Sequence, residues 1–315
     1  MIKVFIDGSS GTTGLRIRER LSERKDIELI SVPYELRHDP SVRREAMERA
    51  DAAFLCLPDA AAIEAAELVK NSSVIVIDTS TAHRTDADWT YGLAELAGQR
   101  ARIRDSRRIA NPGCHATGFI TLVQPLVAAG ILRKDAKLDC FSLTGYSGGG
   151  KKMIAEYEAA DRSPLLKAPR MYALPQKHKH LKEMMVISGL ENAPVFCPVV
   201  ADFYSGMETV VTVHKDQLSG TLEDIRACYE ALYQTPFVHY AAEADENGFL
   251  SAGALSGFDD LEITAVGNED RITLVSRFDN LGKGACGAAI QNMNIVMGLA
   301  EGTGLIRKGD SHEVD

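Results

Sequence analysis

The sharpest chemical feature of the chain is one cysteine in the run Ala110-Asn111-Pro112-Gly113-Cys114-His115-Ala116-Thr117-Gly118. Cys114 follows a Pro-Gly turn and opens an apolar run that reads as a helix to Ala129, stopped by Gly130. At the first turn of a helix the unpaired N–H groups and the positive dipole end favour thiolate over thiol, and the thiolate is the nucleophile. Of the six cysteines only Cys114 has this setting. The others are scattered singly, without CxxC, as expected of small buried residues with reduced thiols. His115 is adjacent, but neighbours along a helix point in different directions. It is read as structural.

A second cluster is Tyr172-Ala173-Leu174-Pro175-Gln176-Lys177-His178-Lys179-His180-Leu181-Lys182-Glu183, ahead of the apolar run Met184 to Ile187. Histidines are the side chains best suited to proton work near neutral pH. If a helix starts near His180, that residue shares a face with Glu183 at i,i+3. A carboxylate partner would raise its pKa and suit it to holding substrate charge. His178 would then sit on the preceding loop as acid or base, although the motif alone permits either assignment. HxH also binds metals, but no further cluster with ligand spacing accompanies it, so no metal is expected.

Other segments offer anion binding. Gly8-Ser9-Ser10-Gly11-Thr12-Thr13-Gly14 is a G-x-x-G-x-x-G turn directly after a first apolar strand. Glycines let the backbone approach a pyrophosphate, and the helix that follows supplies free N–H groups. The second strand ends in Ser31-Val32-Pro33 without the acidic residue that would accept from a ribose 2′-hydroxyl. Ser31 and Arg37 can instead donate to a 2′-phosphate, though Glu35 lies between them. NADP(H) is therefore expected over NAD(H). Arg84 follows a buried strand in Asp78-Thr79-Ser80-Thr81-Ala82-His83-Arg84, where it could hold a carboxylate or phosphate bidentately. Thr144-Gly145-Tyr146-Ser147-Gly148-Gly149-Gly150-Lys151-Lys152 reads as a flexible glycine loop with two cations.

The elements that must position these residues fall into two parts. Strand-like runs at Lys3 to Ile6, Ile27 to Val32, Ala52 to Leu57 and Val74 to Ile77 alternate with charged or helical stretches. This predicts an α/β, Rossmann-type, doubly wound parallel sheet. Beyond Ala110 strand runs dominate: Leu138 to Leu143, Val195 to Val200, Glu208 to His214, and Ile263 to Val266 with Arg271 to Phe278 as a hairpin, with a helix from Leu222 to Tyr233 among them. This predicts an α+β domain with a mixed or antiparallel sheet. The last helix, Ala285 to Ala300, is expected to pack back on the first domain. The resulting division is 1–112 with 284–315 for nucleotide binding, and 113–283 for catalysis, substrate and oligomerisation.

At 315 residues and a formal net charge of -9, with no basic run, the chain does not suit a nucleic-acid partner. No stretch approaches the ~20 apolar residues of a membrane span, and the N-terminus meets a charge and a glycine too early for a signal peptide. A cytoplasmic protein acting on small molecules is the simplest expectation.

Taken in order, these segments resemble the N-acetyl-gamma-glutamyl-phosphate reductases in their shorter form. The motifs that carry the resemblance are the glycine turn, Cys56-Leu57-Pro58, Asp78 to Arg84, Tyr91-Gly92-Leu93-Ala94-Glu95-Leu96, Asn111-Pro112-Gly113-Cys114, Gly145 to Lys151, Lys177-His178-Lys179-His180, and Asn280-Leu281-Gly282-Lys283-Gly284-Ala285-Cys286-Gly287-Ala288-Ala289-Ile290-Gln291-Asn292. The longer form usually has tyrosine after the nucleophile and arginine inside HxH, where this chain has His115 and Lys179. The resemblance implies a glyceraldehyde-phosphate dehydrogenase-like catalytic domain and a homo-oligomer, dimer or tetramer. It implies NADPH-dependent reduction of N-acetyl-glutamyl 5-phosphate to the 5-semialdehyde through a thioester on Cys114, as in arginine biosynthesis. It further implies His178 as acid/base and Arg84, Ser147, Lys151, His180 and Glu183 around the substrate. Gly8, Ser10, Gly11, Thr12, Thr13, Gly14, Ser31, Arg37, Leu57, Pro58, Ser80 and Asn280 would lie along the cofactor, with Asn280 near the nicotinamide. The rivals are a sister reductase for aspartyl or aminoadipyl phosphate, since one methylene discriminates weakly, and a catalytically silent nucleotide sensor on the same fold.

Overall fold

The structure is a computed structural model describing residues 1–310. Residues 311–315, assigned with the first domain from sequence, lie outside the described residues. The chain divides into two compact units. One comprises Met1–Ala94, Gly98–Pro112 and Ala285–Leu305; the other comprises Glu95–Ala97, Gly113–Gly284 and the described residues from Ile306 onward.

The first unit is a parallel sheet of β1 (Ile2–Asp7), β2 (Ile27–Ile30), β3 (Ala52–Leu55), β4 (Ile75–Asp78), β5 (Thr90–Tyr91) and β6 (Arg108–Ala110), in the order β2-β1-β3-β4-β6-β5. Its helices are α1 (Thr12–Ser22), α2 (Pro40–Glu48), α3 (Asp59–Leu68), α4 (Gln99–Arg104) and the C-terminal helix Gly287–Val296. Successive residues of a strand point to opposite faces, and both faces here are apolar. Val4 and Ile6 pack with Ile17, Leu21, Ile290 and Met293. Phe5 packs with Met47, Val69 and Val76 on the other side. That two-sided burial is why the strands read as short apolar runs without alternation. The strand order reverses between β1 and β3, and ligands of open α/β sheets bind beyond the strand ends at such a point. The glycine turn follows β1 and Cys56-Leu57-Pro58 follows β3, so both occupy that switch point.

The second unit holds a seven-stranded mixed sheet. Its elements are α5 (Cys114–Ala128), β7 (Asp139–Gly145), α6 (Gly150–Glu158), β8 (Arg170–Met171), α7 (His180–Ser188), β9 (Val195–Ala201), β10 (Met207–His214), α8 (Leu222–Leu232), β11 (Val238–Tyr240), β12 (Leu261–Gly267) and β13 (Arg271–Phe278). The order is β11-β12-β13-β10-β7-β9-β8, with β7 parallel to β9, β11 parallel to β12, and the remaining pairs antiparallel. Helix α5 lies buried along one face. Gly118 permits that approach, because a Cβ there would fall 2.3 Å from Thr209 Oγ1 on β10. Pro125 cannot donate to the Thr121 carbonyl four residues earlier. The Tyr233 hydroxyl donates to it instead, at 2.6 Å, beside Tyr229, which donates to the Leu122 carbonyl. The helix thereby keeps its carbonyls satisfied through the proline.

One segment departs from the sequence expectation. Thr144 to Lys152 is not a flexible loop: Tyr146–Gly149 forms a 3-10 turn and Gly150 opens α6, which places Lys151 and Lys152 in the first turn of a helix. Backbone N–H groups of Gly145, Tyr146 and Ser147 donate to the carbonyls of Gly206, Phe203 and Tyr204, which fixes the segment.

Candidate active site

In the first unit the three glycines of the turn differ in what they serve. Gly8 has φ +83°, and a Cβ there would strike the Cys56 carbonyl oxygen at 2.3 Å. A Cβ on Gly14 would lie 2.5 Å from the Gly8 carbonyl oxygen. These two let the turn, α1 and the end of β3 close on one another. Gly11 differs: its φ is an ordinary −73°, and its nearest neighbours to a Cβ are at 3.5 and 3.8 Å. The protein itself has room for a side chain at the N-cap of α1. An open, side-chain-free helix start beside the exposed Ser10 and the half-buried Thr12 and Thr13 suits a pyrophosphate. Leu57 and Pro58 follow β3, Pro58 serving as N-cap of α3.

Past the shortened end of β2, Ser31 is exposed. The Arg37 guanidinium lies 3.6 Å over the Tyr34 ring while donating to the Tyr34 carbonyl. After β4, Ser80 is buried and committed to the protein. Its amide and hydroxyl both donate to Asp78, whose carboxylate also meets His83 Nδ1 at 2.6 Å. Arg84 is likewise buried. Its Nε donates to the Asn111 carbonyl at 2.9 Å and its Nη2 to the Thr79 carbonyl at 3.0 Å. The guanidinium thus clamps the loop after β4 to the strand end that leads, three residues later, to Cys114. The Asn111 side chain donates to the Ala285 carbonyl and accepts from Asn292.

In the second unit Cys114 is the first residue of α5 and is partly exposed, with Gly113 as an extended N-cap. A Cβ on Gly284 would come 3.0 Å from the Cys114 Cβ, so the glycine leaves the cysteine its space. The Gly113 N–H donates to Glu183 Oε1 at 2.9 Å. Helix α7 does begin at His180, with Glu183 one turn along and buried. The Glu183 carboxylate is therefore turned onto the backbone beside the cysteine.

The loop before α7 passes through positive φ at Ala173 and Gln176. The Gln176 side-chain amide pins it by bracketing Phe196 on β9, donating to its carbonyl and accepting its N–H, both at 2.8 Å. His178 ends this loop, its Nδ1 accepting the His180 N–H at 3.2 Å. An amide can only donate, so the neutral ring carries its hydrogen on Nε2. Burial, with the neighbouring Lys179 charge, pushes His178 down to about 4. The ring of His178 is therefore neutral, with its hydrogen on Nε2. His115 is buried and pushed further, to about 3, first by burial and then by His178 and Lys179.

Ser147 and Asn280 interlock: Asn280 Nδ2 donates to Ser147 Oγ at 3.0 Å and Asn280 Oδ1 accepts the Gly206 N–H at 2.9 Å. Lys151 is exposed. Two further features escaped the sequence reading. Tyr172 touches His115, and its position in the histidine segment is the only signal that could have marked it. Lys283 and Glu95 form a buried ion pair at 2.7 Å, and nothing local in either segment announces it.

Comparison with known proteins matches both parts of the chain. The family model described as semialdehyde dehydrogenase, NAD binding domain, matches residues 3–105, and that described as semialdehyde dehydrogenase, dimerisation domain, matches residues 114–280. An N-acetyl-gamma-glutamyl-phosphate reductase of Brucella ovis is 44% identical over 306 residues, covering 94% of this chain and 99% of that protein. One from Brucella melitensis biotype 1 is 43% identical over the same shares. Among solved structures, aspartate semialdehyde dehydrogenase II from Vibrio cholerae superposes with TM-score 0.70 at 19% identity, over 94% of this chain and 98% of that one. The Candida albicans aspartate semialdehyde dehydrogenase, determined with NADP, gives 0.65 at 13% identity, over 95% and 99%. The structural likenesses establish the α/β fold with its two parts. Among the described residues no helix is long and apolar enough to cross a membrane.

Proposed function

We propose, since the chain belongs to the N-acetyl-gamma-glutamyl-phosphate reductase family, that it reduces N-acetyl-glutamyl 5-phosphate to N-acetyl-glutamate 5-semialdehyde with release of phosphate. The observation that carries this reading is Cys114, partly exposed at the first turn of α5, with α7 fastened to the residue before it. The identity of 44% to a reductase named for this substrate favours it over aspartyl or aminoadipyl phosphate, and the nucleophile setting disfavours a silent sensor.

The Cys114 thiolate attacks the acyl carbon, the C–O bond to phosphate breaks, and a thioester remains on the sulfur. Lys151, in the first turn of α6, and His180 stabilise the departing phosphate, which takes up the one proton the overall reduction consumes. NADPH, when bound, supplies the hydride to the thioester carbon. His178, through Nε2–H, donates to the alkoxide oxygen without losing its proton. The alkoxide then expels the Cys114 thiolate and leaves the aldehyde. Gly11, Ser10, Thr12 and Thr13 would hold the pyrophosphate, Gly8 and Gly14 shape their turn, and Leu57 and Pro58 flank it. Ser31 and Arg37 would meet the 2′-phosphate. Arg84, Glu183, Ser80, Ser147 and Asn280 act through the loops they fix. A second copy on the helix-free face of the seven-stranded sheet, where Phe141, Val195 and Met171 are exposed, would fit the dimerisation description of the matched family. The test is NADP+ reduction with N-acetyl-glutamate 5-semialdehyde or aspartate 4-semialdehyde, with and without phosphate. Phosphate-dependent turnover with the first is expected; preference for the second would overturn the substrate assignment.

A further inference from the structure

We propose that Lys283 and Glu95 are positioning residues for Cys114: their buried ion pair holds Gly284 against the root of the cysteine and so fixes where the sulfur is presented. The proposal rests on the reading of Cys114 as nucleophile.

All the residues concerned belong to the second unit. Lys283 Nζ donates to Glu95 Oε1 at 2.7 Å, with 1% and 0% of the two side chains exposed. Lysine is almost never buried to this degree unless it is paired. Lys283 is the second residue of a wide helical turn, Gly282–Cys286, an irregularity that recurs at functional sites. The next residue is Gly284. A Cβ on it would stand 3.0 Å from the Cys114 Cβ, 3.2 Å from the Asp279 carbonyl oxygen and 3.2 Å from Phe278 Cε2. The Cys114 Cβ is attached to the backbone of the first turn of α5, so it cannot swing aside as the tip of a long side chain could. Gly284 is therefore a flush wall beside the nucleophile, and any shift of the wall is felt at the sulfur.

The segment that carries this wall is fastened at both ends. At the near end the buried Asp279 carboxylate accepts the N–H groups of Leu281 at 2.7 Å, Gly282 at 3.3 Å and Gly257 at 2.5 Å, and the Ser205 hydroxyl at 2.9 Å. The Gly284 N–H donates to the Asp279 carbonyl at 3.0 Å. At the far end the Lys283 side chain reaches Glu95, 188 residues away in sequence. A buried ion pair is a poor way merely to stabilise a fold, because a well-packed apolar pair of similar volume does as well or better. What the apolar pair lacks is direction: a charge-assisted hydrogen bond fixes both distance and angle. The charged pair next to Gly284 therefore answers a demand for placement, and the residue placed against that glycine is Cys114.

The experiment must separate placement from stability. It records the burst rate of NADPH formation from N-acetyl-glutamate 5-semialdehyde and NADP+ without phosphate, in the whole enzyme, well below the Tm of each variant. Lys283→Met is expected to slow the burst by roughly tenfold to a hundredfold, the effect of a small misplacement of a reacting group. Alkylation of Cys114 by iodoacetamide, which needs the thiol but not its aim, should stay within a fewfold of wild type. Gly284→Ala, which leaves the ion pair intact, should slow the burst by a similar factor. The two changes together should be no worse than the worse one alone, since a released turn makes room for the methyl group. Lys283→Met with Glu95→Leu leaves no buried charge. It should recover the Tm lost in Lys283→Met but not the burst rate, and it carries the test should Lys283→Met fail to fold. A burst rate that returns in this double variant would make the pair merely structural and overturn the proposal. So would a wild-type burst in Gly284→Ala or Lys283→Met, or losses that multiply when those two are combined. A burst that survives in Cys114→Ala would sink the nucleophile reading separately, whatever the other variants show.

Discussion

The Glu183 carboxylate accepts the Gly113 N–H at 2.9 Å, so the first turn of α7 holds the residue immediately before Cys114. Both partners are buried. Removing the acceptor leaves an amide unsatisfied beside Cys114, at a cost of ~1–3 kcal/mol. Glu183→Ala is expected to lower kcat at least tenfold while leaving nucleotide affinity unchanged. Glu183→Gln, which retains an acceptor oxygen, should stay within a fewfold of wild type. Equal losses in both variants would mean that the charge, rather than this hydrogen bond, matters.

Arg84 makes a second prediction. It donates to two carbonyls, on the loop after β4 and at Asn111, and an ammonium cannot reproduce that fork. Arg84→Ala and Arg84→Lys should both lower kcat/KM by roughly tenfold to a few hundredfold, ~1.5–3 kcal/mol, and both should lower Tm. A change below twofold in kcat/KM would reduce Arg84 to an ordinary buried contact.

How much of this was legible in the sequence depends on the range of the interaction. The turn after β1 was visible because glycine spacing and a flanking strand are local. The start of α5 was visible because Pro-Gly precedes an apolar run. Helix α3, Asp59–Leu68, was not: it is mostly alanine, which marks neither a core face nor a solvent face strongly. Gly148-Gly149-Gly150 hid the start of α6, since glycine signals a loop unless the backbone is otherwise fixed. The long-range contacts around Cys114 and His115 were out of reach. Glu183 meets Gly113 across 70 residues and Tyr172 meets His115 across 57, and no spacing rule encodes such distances. The protonation of His178 also needed the fold, because burial and the His180 N–H, rather than the HxH motif, set it.

Histidines kept neutral by full or partial burial predict acid sensitivity. His115 is held near 3 and His178 near 4, both below the ordinary 6.5. Below 6.5 the unfolded chain takes up protons that the folded one refuses, so stability is complete above about pH 6.5 and falls as the pH drops toward 4. For the fully buried His115 the slope is ~1.4 kcal/mol per pH unit. Thermal denaturation from pH 7.5 to 5 should show Tm falling, and His115→Gln should flatten that fall whatever its effect at pH 7.5. Parallel curves for the two proteins would contradict this origin.

We place the cofactor preference beyond the end of β2. There Arg37, stacked on Tyr34, is the cation we propose for a 2′-phosphate. NADPH should exceed NADH in kcat/KM, and Arg37→Ala should raise KM for NADPH several-fold with little change for NADH. Equal wild-type values for the two cofactors would refute the assignment.

The proposed reaction turns on a thioester at Cys114, and omission of phosphate isolates it. Without phosphate, enzyme mixed with N-acetyl-glutamate 5-semialdehyde and NADP+ can oxidise the thiohemiacetal once but cannot discharge the thioester by phosphorolysis. A rapid burst of NADPH equal to the concentration of active sites is expected, together with one N-acetylglutamyl group on the Cys114 peptide, both absent in Cys114→Ala. Steady NADPH formation with no burst and no adduct, or a burst that persists in Cys114→Ala, would contradict covalent catalysis at this residue.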